Sequence, residues 1–319
     1  MQTLAAAFLT GRLPDHRAHE RRVQLPDGDV LAVQDDCPAN WQPGGRVAIL
    51  GHGLGGCHRS PGVARLAAKL SDRGVRVFRY DMRGCGAGSG LALRPYHAGR
   101  SDDVAAVVQA VLKWCTEAPA NSKPVPPPSI ALVGISLSGN MLLKYLGEAP
   151  DGVPSAVIRA VAVNPPIDLA RSVATLRRPL NRWYDRYFVS ALRRHVAKHQ
   201  LHWPDAPVPT IPFQPQRMEE FDDQYTAPFS GFATGAEYYR ECSAGQFIPH
   251  IEVPTVVLTS RDDPLVPVES FEAQASSWSK SVRLGIIPGG GHLGYFARAG
   301  LDPDPFWLDW RLVELITAA

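Results

Sequence analysis

Short apolar runs alternate with amphipathic helical patterns along most of this chain, and that alternation limits the fold more than any other feature. "RVAILG", "VRVFRYD", "IALVGI" and "VIRAVAVN" read as strands, and the stretches between them carry helix patterns. In the first helix Pro61 suits the opening turn, Val63, Leu66, Ala67 and Leu70 share one face, and Gly74 ends it. In the second, Asp102 and Asp103 suit the positive end and Val104, Val107, Val108 and Val111 form the apolar stripe. Ser60 and Ser101 are the expected caps of these two helices. A third, "NMLLKYLG", is largely apolar and stops at Gly147. The pattern returns with "PTVVLTS", a helix near Glu269 to Ser276, the strand "VRLGII" and a C-terminal helix opened by Asp304 and Pro305. Strands and helices in this order build an α/β fold with a mostly parallel central sheet and helices on both faces. Ahead of it, "RRVQLPDGDVLAVQ" alternates apolar and polar residues around a turn, as a hairpin does.

Between about residues 165 and 245 the alternation stops. This stretch holds Trp183, Tyr184, Tyr187, Phe188 and Trp203, a basic helical part near Arg193, and the proline-studded "WPDAPVPTIPFQPQ". It reads as an irregular lid inserted between strands. The expected organisation is therefore 1–164 as the N-terminal part of the core, 165–245 as the lid or cap insertion, and 246–319 as the C-terminal part. A chain of 319 residues has room for this arrangement, and it contains no internal repeat. "KPVPPPS" is an extended connector.

Bulk properties remove several function classes. A net charge of +2 without a long basic run gives no electrostatic case for nucleic acid. The five cysteines, Cys37, Cys57, Cys85, Cys115 and Cys242, are scattered and form no Cys-x-x-Cys pair, which argues for reduced thiols rather than a disulfide frame or a zinc site. The N-terminal "MQTLAAAFLTGR" has an apolar run with no basic residue before it, a weak leader signal. No stretch approaches the ~18 apolar residues of a membrane span. A cytoplasmic protein is expected, with transient contact at lipid surfaces still open to it and its oligomeric state undetermined.

Two readings compete for "GHGLGG". Gly51, Gly53 and Gly56 match G-x-G-x-x-G after a strand, and the next strand ends in Asp81, where a nicotinamide-dinucleotide fold keeps its ribose-binding carboxylate. Against it, such a helix starts inside the glycine motif, whereas Ser60 and Pro61 place this helix start later. The favoured reading makes "HGLGG" an oxyanion loop, in which glycines let a backbone N–H, here that of Leu54, approach a reacting carbonyl.

"ALVGISLSGN" supplies the partner. A serine on a sharp strand-to-helix turn takes positive φ, a strain of about 1–3 kcal/mol, and needs small residues two before and two after it. Around Ser136 these are Gly134 and Ser138, the second bulkier than glycine by a hydroxymethyl group. Alone, such a near-match is more often a plain turn. Two later sites change the weighting: "VVLTSRDDPLVP" ends a strand in Asp262 and Asp263, and "LGIIPGGGHLG" runs from a strand through glycines to His292. The order Ser136, Asp263, His292 is that of the α/β-hydrolase triad, each member just past a strand end. Ser136 would be the nucleophile, His292 the general base and acid, and Asp263 the group fixing the imidazole; Asp262 is the runner-up for that last role, and a turn-capping carboxylate is the preferred reading of it. The N–H groups of Leu54 and Leu137 would bind the oxyanion. No metal or organic cofactor is required.

At the level of whole blocks the chain resembles the YheT-like branch of the α/β-hydrolases, a group of serine esterases. The blocks are "HGLGG", "YDMRGCG", "RPYHAGRSDDV", "GISLSGNMLLKYLGE", "FDDQYTAPFSGF", "YYRECS", "VPTVVLTSRDDP" and "GGGHLG". "QTL" is similar to the end of that family's N-terminal arm, so the chain is expected to begin slightly late. The resemblance implies an α/β-hydrolase fold and hydrolysis or transfer of medium-chain acyl groups on small-molecule ester or lipid substrates. Ser138 departs from the glycine usual there. His195, His199 and His202 share a helical face but lack the glutamate of His-Glu-x-x-His, and are expected on the lid surface. His97 and Asp102 fit helix entry and capping, and the lid aromatics are mainly packing, a few of them lining an acyl pocket.

Overall fold

The computed structural model describes residues 18–117, 124–206, 213–298 and 300–318. The N-terminal run and residues 207–212 of the proline-studded stretch lie outside the described residues.

One eight-stranded sheet runs in the order β1-β2-β4-β3-β5-β6-β7-β8. The hairpin of β1 (His19–Gln24) and β2 (Val30–Asp36) is antiparallel and meets β4 (Arg76–Tyr80) antiparallel. From β4 onward, β3 (Arg46–Gly51), β5 (Ser129–Ile135), β6 (Val157–Val163), β7 (Thr255–Ser260) and β8 (Val282–Ile287) are all parallel. Central parallel strands are covered on both sides, and β3 shows it: Val47 and Ile49 enter one apolar cluster, Ala48 and Leu50 the other.

Three helices follow the first strands: α1 (Pro61–Ser71), α2 (Ser101–Thr116) and α3 (Leu137–Glu148). Between β6 and β7 the chain leaves the sheet. It builds α4 (Leu169–Leu176), α5 (Arg182–His202), α6 (Met218–Phe221), which continues through a π turn at Asp222–Thr226 into Ala227–Phe229, and α7 (Gly235–Cys242). The short α8 (Glu269–Glu272) follows β7, and α9 (Trp307–Thr317) closes the chain. Helices α1 and α9 cover one face of the sheet, α2 and α3 the other. No described helix is long and apolar enough to cross a membrane.

Three local expectations are corrected. The serines at the helix starts do not cap: Ser60 Oγ accepts from Cys57 N–H at 3.0 Å, and Ser101 is itself the first residue of α2, its hydroxyl donating to Glu148 Oε2 at 2.6 Å. Pro61 has no N–H, so α1 has fewer orphan donors to cap. Asp103 does not face the helix end but takes the Arg83 guanidinium, which also reaches Asp27 and Asp29 and so pins the loop after β4 to the hairpin turn. Finally, the segment expected to be irregular is mainly helical. In α5 the buried Asp185, Val189, Leu192 and Val196 follow helical spacing, a stripe hidden in the sequence by aromatic and basic residues on the other faces.

Candidate active site

Strand β5 enters α3 through Ser136, whose φ of 54° and ψ of −115° lie outside the helical region. Such a backbone holds only where its surroundings fix it. Here Ser136 N–H donates to Val163 O at 2.8 Å, and its carbonyl accepts from Gly139 N–H and Asn140 N–H. Clearance between strand and helix rests on Gly134: a Cβ there would sit 2.5 Å from Ser138 O and 2.7 Å from Gly139 Cα.

The fully buried Ser138 is bound rather than merely tolerated. Its Oγ accepts from Ile135 N–H at 2.8 Å and donates to Ile135 O at 3.1 Å. The room comes from β3, since a Cβ on Gly51 would lie 2.7 Å from Ser138 Cβ.

Ser136 Oγ lies 2.8 Å from His292 Nε2, and His292 Nδ1 lies 2.7 Å from Asp263 Oδ2. An ionised carboxylate only accepts, so Nδ1 donates and Nε2 is left to accept from the serine hydroxyl. Asp263 Oδ1 is held by the N–H groups of Leu265 and Val266 at 2.8 and 3.1 Å, which aims Oδ2 at the ring. Asp262 turns the other way and accepts from Gly291 N–H at 2.8 Å. The two neighbouring carboxylates thus divide the work, one on the imidazole and one on its loop.

Further braces on that loop gave no signal in the sequence beyond polar residues at strand ends. Asn164, with φ 44°, donates to the carbonyls of Gly291 and His292 and accepts from Tyr295 OH at 2.6 Å. Ser260 Oγ donates to Gly291 O at 2.5 Å.

The glycine loop after β3 meets Ser136 from the side. A Cβ on Gly53 would stand 3.4 Å from Ser136 Cβ, and Leu54 and Leu137 both line the cavity at the serine. Leu137 opens α3, where the first amides have no partner inside the helix. Buried His52 anchors the loop: Nε2 accepts from Met82 N–H at 3.1 Å, so Nδ1 carries the proton toward Gly53 O at 2.8 Å, and burial lowers its pKa.

Asp81 does not serve this loop's open side. It is fully buried and accepts from His58 N–H, Ala87 N–H and the His58 ring at 2.6–2.8 Å. With α1 starting only at Pro61, the dinucleotide reading has neither a free carboxylate nor a helix end at the glycines. Cys57, His58 and Asp81 form the one described grouping with metal-ligand atoms within 4.8 Å of one another, but Asp81 is consumed by these internal bonds.

The cavity beside Ser136 is walled by Leu169, Val173, Leu176, Phe188, Leu192 and Met218, all from the β6–β7 excursion. His97 stands at the entry to α2, its Nδ1 accepting from Gly99 N–H at 3.1 Å, and is also buried in this wall, with a pKa well below the usual value because of burial. One expectation about the histidines is corrected. His195 also lines the cavity rather than the lid surface, packed edge-on against Tyr96 at 5.1 Å, and burial lowers its pKa to about 4. His199 and His202 pin α5 to the loop after β4, meeting Leu93 O at 2.9 Å and Ser89 Oγ at 3.2 Å. The wall also holds one acid, Asp222, which accepts from Thr226 Oγ1 and Tyr239 OH, each at 2.7 Å. Burial raises its pKa to about 7.

Comparison with known proteins agrees with this architecture. The chain is 29% identical to YheT of Escherichia coli, a protein assigned as an esterase, over 93% of this chain and 84% of that one. It is 24% identical to the phospholipase ABHD3 of Mus musculus, over 92% of this chain and 70% of the relative. The esterase Pf2001 of Pyrococcus furiosus superposes with a TM-score of 0.56 at 16% identity, over 94% of this chain and 92% of that one, a likeness of fold. The family profile described as the alpha/beta hydrolase fold matches residues 49–299. With eight strands in this order and a serine turn at the head of α3, the chain belongs to the α/β-hydrolase fold family.

Proposed function

We propose that the protein is a serine carboxylester hydrolase acting on acyl esters, with Ser136 as nucleophile. The observation that carries this reading is the continuous hydrogen-bonded chain from Ser136 Oγ through His292 to Asp263, at the mouth of an apolar cavity. His292 Nε2 takes the serine proton as Oγ attacks the ester carbonyl, and the imidazolium is stabilised by Asp263. The same proton then goes to the leaving alcohol, and water attacks the acyl-enzyme in a second, mirrored step. The N–H groups of Leu54 and Leu137 bind the developing oxyanion, each worth about 10²–10³ in rate. The relatives named as an esterase and a phospholipase fit this chemistry. We also assign residues 165–245 as the cap that shapes the acyl site.

Labelling with a fluorophosphonate probe tests the reading: wild-type protein should be modified at Ser136, and Ser136→Ala should not react. An unmodified wild-type serine overturns it. Transfer of the acyl group to an alcohol uses the same intermediate. Product analysis with added alcohol distinguishes an acyl-alcohol transferase from a hydrolase.

A further inference from the structure

Helix α5 has two contrasting sides. Phe188, Leu192 and His195 turn toward the cavity beside Ser136. On the outside Trp183 and Tyr187 are each 54% exposed with their rings stacked at 5.8 Å, and Leu201 is 82% exposed. Leu180, just before the helix, is 93% exposed. At 100° per residue, positions 183 and 201 lie about five whole turns apart and share one direction opposite the buried side, so large apolar residues stand near both ends of an outer face about 27 Å long, with Ser190, Arg194 and Ala197 between them.

The exposed charges between residues 178 and 202 are of one sign. Arg178, Arg182, Arg186, Arg193, Arg194 and Lys198 are all exposed. Asp185, the sole acid between residues 177 and 202, is buried and accepts from Met218 N–H at 2.8 Å. Among the described residues Glu219 pairs with Arg177, and no carboxylate lies within ion-pair distance of the other six cations. A chain with net charge +2 thus concentrates its positive charge on the outer side of one helix.

We propose that this outer side of α5, together with Leu180, docks on an anionic lipid bilayer. Lying parallel to the surface, the helix seats Leu180, Trp183, Tyr187 and Leu201 at the headgroup–acyl boundary while the arginines meet lipid phosphates. A nucleic acid would satisfy the arginines equally but leave Leu180 and Leu201 in water, so the exposed apolar residues at both ends of this face favour lipid. The inference goes beyond the esterase reading, and the binding it describes does not require Ser136.

Vesicle co-sedimentation of the full chain tests it. Vesicles of phosphatidylcholine with about one third phosphatidylglycerol should bind about tenfold or more tighter than pure phosphatidylcholine, and about 0.5 M salt should release the protein. The combined change Arg178→Glu, Arg182→Glu, Arg186→Glu should weaken binding about 100-fold, and Leu180→Ser with Trp183→Ser about tenfold. Both variants should keep hydrolysis of a soluble short-chain ester, which reports intact folding. Ser136→Ala should bind vesicles like wild type, so a failed esterase assignment and a failed docking assignment give different results. Equal binding to neutral and anionic vesicles, or binding untouched by charge reversal, overturns the proposal. So does a DNA duplex that displaces the vesicles and binds the Leu180→Ser, Trp183→Ser variant undiminished.

Discussion

A hydroxymethyl group at position 138 needs space that the turn into α3 does not itself provide. The absent side chain of Gly51 on the neighbouring strand supplies it, and the Ser138 hydroxyl then satisfies both backbone groups of Ile135. Replacing Ser138 with glycine should therefore cost about 1–2 kcal/mol in urea denaturation and leave kcat no higher. Gly134→Ala is the harmful change, because its new Cβ would meet the α3 backbone, which cannot give way cheaply. A fall in kcat of about 100-fold is expected from the displaced serine. The adjacent acids should separate as clearly: Asp263→Asn loses about 10⁴ in kcat by forcing the wrong imidazole tautomer, whereas Asp262→Asn, touching only Gly291 N–H, loses about tenfold. Ser136 and His292 stand out in sequence because the roles proposed for them admit few substitutes. The choice between Asp262 and Asp263 is only favoured there, since it depends on which carboxylate the Leu265 and Val266 amides capture. Asn164 is invisible, because asparagine after a strand marks an ordinary turn far more often than a loop brace.

Among the elements, strands were the most legible and caps the least. Buried parallel strands announce themselves as apolar runs, but the Ser60 hydroxyl is taken by the Cys57 amide of the preceding turn and the Ser101 hydroxyl by Glu148, far away in sequence, so neither reaches the helix amides. Of the helices between β6 and β7 only the basic part of α5 near Arg193 was legible. Helices α4, α6 and α7 and the full length of α5 were hidden for a different reason, since they line a cavity rather than a sheet and carry aromatic and polar residues among the apolar ones. The π turn after α6 illustrates the consequence, for it sets Asp222 and Thr226 into the same wall. Folding raises the Asp222 pKa from the unfolded value near 4 to about 7. The folded state thus favours the protonated acid. Its contribution is complete below about pH 4 and is lost as pH rises through about 7. Compared with Asp222→Asn, wild type should lose stability steadily over that window and then level off, a difference that urea titrations at a series of pH values would resolve.

Across the molecule, order in the chain and order in the sheet are related simply enough that patterning alone implied the fold. Each parallel crossover carries a helix, and the residues of the proposed site sit where β3, β5, β7 and β8 end. Substrate preference was less legible, because the cavity is shaped by the excursion between β6 and β7 and by residues brought together only in three dimensions. If that excursion caps an acyl site, kcat/KM in a series of nitrophenyl esters should rise from acetate to longer chains; a flat profile or an acetate optimum would contradict it. Removing one large wall residue, as in Leu192→Ala, should shift the optimum toward bulkier acyl groups.

Asn164 is the first residue after β6, at the root of the excursion, and from there it grips the carbonyl of His292. One side chain therefore ties the root of the excursion to the loop that carries His292, the proposed base. Anyone grafting a foreign cap onto this scaffold should cut after 164 and not before it, because a graft that carries away this asparagine also unseats the imidazole, however well the new cap folds.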